Sequence, residues 1–121
     1  MPGILIVDDS TFMRKLEKTI LVKAGYKDLS EASTGKEAIE KYKAKTPDIV
    51  ILDIIMTKDM SGIDVLREIK KIDKKAKIIM VTILEQKTIE EEARKLGASD
   101  YISKPIDSKD LITAIKNVLK K

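Results

Sequence analysis

Five polar residues stand where four apolar runs end: Asp8 and Asp9 after ILIV, Asp53 after DIVIL, Thr82 after KIIMV and Lys104 after DYIS. Three carboxylates, a hydroxyl and an ammonium gathered at one place suit a divalent cation and a phosphoryl group. Converging carboxylates repel one another, and a hard cation relieves that repulsion. Mg²⁺ fits such a set, because it takes one or two carboxylates together with waters and phosphate oxygens. Lys104 supplies a point charge opposite the acids, and Thr82 supplies a hydroxyl for an oxyanion. Each feature has a plainer structural reading. Asp9 or Ser10 can cap a following helix, and Asp8 alone is better explained in that way. The specificity lies in the whole set recurring at successive strand ends.

Gathering these residues requires a parallel sheet, which brings the carboxyl ends of its strands to one edge. Apolar runs at 4–7, 29–32, 49–52, 77–81 and 99–102 read as strands, and helical spacing separates them. The first, third and fourth runs are continuous, as in strands covered on both faces. The second is short and polar, which suits an edge. Met13, Leu16, Ile20 and Ala24 define the inward face of a first helix, with Gly25 just beyond its end. Thr34 and Glu37 have capping-box spacing for a second helix carrying Ala38, Ile39 and Tyr42, and Pro47 keeps it out of the third strand. A third helix starts near Gly62 and presents Leu66, Ile69 and Ile72. A fourth carries Ile89, Ala93 and Leu96, and a fifth Leu111, Ile115, Val118 and Leu119.

The count is (βα)5, a doubly wound, flavodoxin-like α/β domain with strand order 2-1-3-4-5. Its switch point falls between the first and third strands, where Asp8, Asp9 and Asp53 stand. Residues 1–121 read as one domain with no output domain.

Composition narrows the chemistry. The chain has no cysteine and no histidine, so thiolate and imidazole chemistry are excluded. A net charge of +4 comes from 24 basic and 20 acidic residues, the pattern of a solvated surface. Few aromatics and no long basic block argue against nucleic-acid binding. No apolar run approaches the ~20 residues of a membrane helix, and no signal peptide is visible, so a cytoplasmic protein without membrane insertion is expected.

The segments LIVDDSTFMRK, PDIVILDIIM, KIIMVT and GASDYISKP together resemble the receiver domain of response regulators, in particular its stand-alone chemotaxis members. The resemblance spans the chain. It implies that Asp53 accepts a phosphoryl group from a histidine kinase. It implies that Asp9, Asp53 and the backbone carbonyl of Ile55 bind Mg²⁺, with Asp8 supporting the ion directly or through water. Lys104 would pair with the acyl phosphate and form a cis bond to Pro105. Thr82 and Tyr101 would act as the switch. The downstream target would bind the face made by the fourth helix, last strand and last helix. A monomer is the default, and the protein would not be an enzyme beyond catalysing its own phosphorylation and dephosphorylation. The alternatives are a receiver that serves as sink or relay in another phosphorelay, a Mg²⁺-dependent phosphatase using Asp53, and a flavodoxin-like cofactor binder. The last is opposed by two acids where a phosphate loop needs glycines.

Two departures from the family pattern stand out. Thr57 occupies the place of a proline after Met56, and Gly62 lies one residue later than expected, so the loop TKDMS is longer. It reads as a tolerated surface insertion, or as a loop presenting Lys58 and Asp59 to a partner. Ile83 replaces a small residue after Thr82, and Ile55 and Leu84 are apolar along the path of an attacking water. Slow self-dephosphorylation is the expectation from these three.

Overall fold

The computed structural model describes residues 1–83 and 86–120, which form alternating strands and helices. They are β1 (Ile4–Val7), α1 (Thr11–Lys23), β2 (Leu29–Ala32), α2 (Gly35–Lys45), β3 (Ile49–Asp53), α3 (Gly62–Ile72), β4 (Ile78–Thr82), α4 (Lys87–Lys95), β5 (Asp100–Ser103) and α5 (Ser108–Leu119). The sheet is parallel throughout, in the order β2-β1-β3-β4-β5, as the sequence predicts. None of the described helices is long and apolar enough to cross a membrane.

Side chains alternate across each strand, so the central strands feed two separate cores. Leu5, Val7, Val50, Leu52, Ile78 and Met80 pack against Ala38, Tyr42, Val65, Leu66, Ile69 and Ala93, from α2, α3 and α4. Ile4, Ile6, Ile49, Ile51, Ile79 and Val81 pack against Leu21, Leu111, Ala114, Ile115 and Val118, from α1 and α5. Burial on both faces is why these three strands are uninterrupted apolar runs. β2 lies at the edge and is only partly buried.

Several local expectations are corrected. The inward face of α1 centres on Glu17 and Leu21, while Leu16 is 36% exposed and Ala24 faces solvent. The apolar spacing misleads here because the position four residues after Met13 holds an acid. The capping box of α2 is only half formed: Thr34 accepts from the Glu37 amide, but Glu37 accepts from Ser33. On α3 the third inward residue is Val65, and Ile72 at the helix end is exposed. β4 and β5 each begin and end one residue later than predicted, so Thr82 and Ser103 are their last residues.

Gly62 is fixed by close approach. A Cβ there would lie 2.0 Å from the Asp53 carbonyl oxygen, and its amide already donates to Ile54 O at 2.8 Å. The start of α3 is thus pressed against the end of β3.

Candidate functional site

Register places the acids. Val7 pairs with Leu52, so the next residues, Asp8 and Asp53, come level on neighbouring strands at the switch point. One oxygen from each of Asp8, Asp9 and Asp53 can be chosen so that all three lie within 4.8 Å of one another. At an effective dielectric of ~20 each charged pair at that distance repels by roughly 3–4 kcal/mol.

Lys104 crosses from the end of β5 to meet them. Its Nζ donates to Asp8 Oδ2 at 3.0 Å and lies 3.5 Å from Asp53 Oδ1. The Lys104–Pro105 bond is cis, as the resemblance implies, and the Lys104 amide donates to Thr82 O at 2.8 Å. Burial opposes the ammonium charge, but the Asp8 hydrogen bond and the nearby acids outweigh it and raise the Lys104 pKa. Each carboxylate oxygen of Asp8 already takes one hydrogen bond. Its Oδ1 accepts from the Ser10 amide at 2.9 Å, and its carbonyl accepts from Arg14 Nη1 at 2.7 Å.

Asp53 is buried, with its pKa raised to about 6, by burial first and then by the Asp8 charge, against the opposing pull of Lys104 and the Ile55 amide. One positive charge therefore leaves the acids only partly neutralised. The hard oxygen donors and the residual repulsion both fit Mg²⁺. Asp9 is half-buried and takes two 3.3 Å hydrogen bonds on Oδ2, from the amide and hydroxyl of Thr57.

Thr82 is wholly buried at the end of β4, one position beyond Val81, the register partner of Asp53. Tyr101 is half-buried on β5 against the core under α2, α3 and α4. Ile83 is 66% exposed and Ile55 is half-exposed. Leu84 lies outside the described residues.

Sequence reasoning missed three residues. Glu17 on α1 is 2% exposed, and its pKa is raised to about 8 by burial and then by Asp8, with Lys104 opposing. Its signal was an acid on the inward spacing from Met13. Thr57 reads in the sequence as a missing proline, and no sequence signal points to its bonds to Asp9. Asp59 reads in the sequence as part of a tolerated surface insertion or as a residue presented to a partner. Instead its carboxylate accepts from the Gly35 and Lys36 amides, both at 2.9 Å, at the start of α2.

A parallel (βα)5 domain with three acids and a bridging lysine at its switch point is the architecture of a receiver domain. Residues 4–116 match the response regulator receiver domain model, and the chain belongs to that family. Among its relatives is the chemotaxis protein CheY of Thermotoga maritima, 48% identical over 117 residues and covering 97% of each chain. CheY of Bacillus subtilis is 46% identical over 116 residues, covering 96% of each. Among solved structures, the crystal structure of the CheX–CheY–BeF3–Mg²⁺ complex from Borrelia burgdorferi superposes with a TM-score of 0.94 at 36% identity. It covers 98% of this chain and 90% of that one.

Proposed function

We propose that this chain is a two-component response regulator acting in chemotaxis, with Asp53 as the acceptor of a phosphoryl group from a phosphohistidine of a histidine kinase. The observation that carries this reading is the Lys104 ammonium set between Asp8 and Asp53, at 3.0 and 3.5 Å, inside a three-carboxylate cluster. The names and near full-length coverage of the CheY relatives support the chemotaxis assignment.

Asp9, Asp53 and the Ile55 carbonyl would hold Mg²⁺, with Asp8 supporting it directly or through water; the bound ion would supply charge neutralisation for the phosphoryl oxygens. Asp53, as its carboxylate, attacks phosphorus: an O–P bond forms and the P–N bond to the donor histidine breaks. Lys104 neutralises charge that builds on the phosphoryl group, and Thr82 donates its hydroxyl to a phosphoryl oxygen. Positioning and electrostatics carry most of such transfers. Hydrolysis of the acyl phosphate by water returns the Asp53 carboxylate and inorganic phosphate. The added charge would move Thr82 and Tyr101 and change partner binding at the face of α4, β5 and α5.

The test is intact mass after incubation with acetyl phosphate. One phosphoryl group should be added to wild type with Mg²⁺, with none after chelation and none on Asp53→Ala. Equal labelling of Asp53→Ala would remove Asp53 from the role.

A further inference from the structure

The three acids are not held alike. Asp8 spends Oδ1 on the Ser10 amide and Oδ2 on Lys104, and Asp53 Oδ1 lies near both the Ile55 amide and Lys104. Among the described residues Asp9 has no lysine in ion-pair contact to orient it. Its only hydrogen-bond donors among the described residues are the amide and hydroxyl of Thr57, both on Oδ2. We propose that Thr57 is a positioning residue for the cation, turning the Asp9 carboxylate so that Oδ1 is left to meet the metal. This rests on the Mg²⁺ reading above and deepens it.

The chemistry depends on residue type. A proline at 57 would have neither an N–H nor a hydroxyl to give. A carboxylate has about four acceptor sites, so two bonds on Oδ2 leave Oδ1 open. Groups that orient a metal ligand in this way typically govern affinity by 10–100-fold.

Thr57 must itself be fixed, and the lengthened loop does this. Asp59 Oδ1 and Oδ2 take the Gly35 and Lys36 amides, while Met60 lies against Gly35. Those Lys36 and Gly35 bonds hold the Asp59 carboxyl below the usual range, keeping it anionic at the start of α2. Beyond it, Ser61 and Asp64 close a capping box on α3. The loop is therefore tied to two helix starts, and the path from α2 runs through Asp59 and Thr57 to Asp9.

Isothermal titration of the full chain with MgCl2 at pH 8 tests this on wild type, Thr57→Val, Thr57→Ser, Thr57→Pro and Asp9→Asn. Thr57→Val should weaken Mg²⁺ binding several-fold and Thr57→Pro about tenfold or more. Thr57→Ser, which keeps both donors, should stay close to wild type. The Thr57→Val protein should also melt, without Mg²⁺, at the wild-type temperature. Unchanged or tighter Mg²⁺ binding in Thr57→Val and Thr57→Pro would overturn the proposal while leaving the cation site standing. Absence of any wild-type Mg²⁺ binding that Asp9→Asn removes would overturn the cation reading itself, and this inference with it.

Discussion

On the β1–β3 side of the site the helices start on side-chain caps. Ser10 caps α1, Thr34 with Asp59 caps α2, and Ser61 with Asp64 caps α3. On the β4 side, α4 starts at Gln86 with no side-chain cap bond and buries only Ala93. Its exposed neighbour Ile83 follows Thr82. The difference teaches where geometry is kept and where it can change. The acid side is fastened by side-chain hydrogen bonds at its helix starts, which hold the carboxylates' surroundings in place. The α4 side is held by less, and segments with few buried contacts are the ones that open and shift at low cost.

Glu17 is the strongest challenge to a simple contrast of tight and loose, because the well-fastened side carries the most costly group. Its carboxyl has a folded pKa of about 8 against an ordinary value of 4.5. A raised pKa contributes its full stability below the unfolded value. That contribution is lost as pH rises from about 4.5 to about 8, where the folded state must give up a proton it holds against burial. The loss amounts to roughly 3–5 kcal/mol. Asp53 adds a smaller effect of the same sign between its ordinary value of 3.8 and about 6. Glu17→Leu should therefore match wild type near pH 4 and exceed it by several kcal/mol at pH 9, read by urea unfolding without Mg²⁺. Parallel pH–stability curves for the two proteins would show that Glu17 carries no such penalty.

Glu17 also shows why the sequence was only partly legible. The sheet order and the site edge followed from periodicity, because β1, β3 and β4 are apolar on both faces and their ends are marked by acids or threonine. Asp8, Asp53 and Lys104 were legible for the same reason: a strand end fixes where its next residue goes. Orientation within a helix was harder. A window holding Met13, Leu16, Ile20 and Ala24 outweighed one containing an acid, although packing chose the second. The roles of Thr57 and Asp59 depend on contacts 48 and 24 residues away, and no local spacing encodes those.

The looser side yields the next test. Ile83 is a branched side chain beside Thr82, where a small residue would give water room to reach an acyl phosphate. Ile83→Ala should speed loss of the phosphoryl group from Asp53 about tenfold, equivalent to roughly 1.4 kcal/mol of barrier. Decay of the phosphorylated mass after removal of acetyl phosphate measures it. An unchanged rate would mean that the Ile83 side chain does not limit the access of water.

The smallest effect sharpens the contrast directly. Gln86 already has extended backbone angles, φ −101° and ψ 117°, and its carbonyl accepts from the Ile89 and Glu90 amides. Only the side-chain acceptor for the first free amides is missing. Gln86→Asp supplies it, and a carboxylate there also meets the positive end of the helix. The gain should be about 1 kcal/mol, enough to slow local amide exchange in α4 about five-fold. Exchange in α2 and α3, whose starts are already capped, should not move. If residues 87–95 slow while those helices stay fixed, α4 opens as its own unit. Equal slowing of every helix would instead mean that α4 opens only with the whole domain, and the proposed phosphoryl-dependent change would have to be carried by something larger than one loosely held helix.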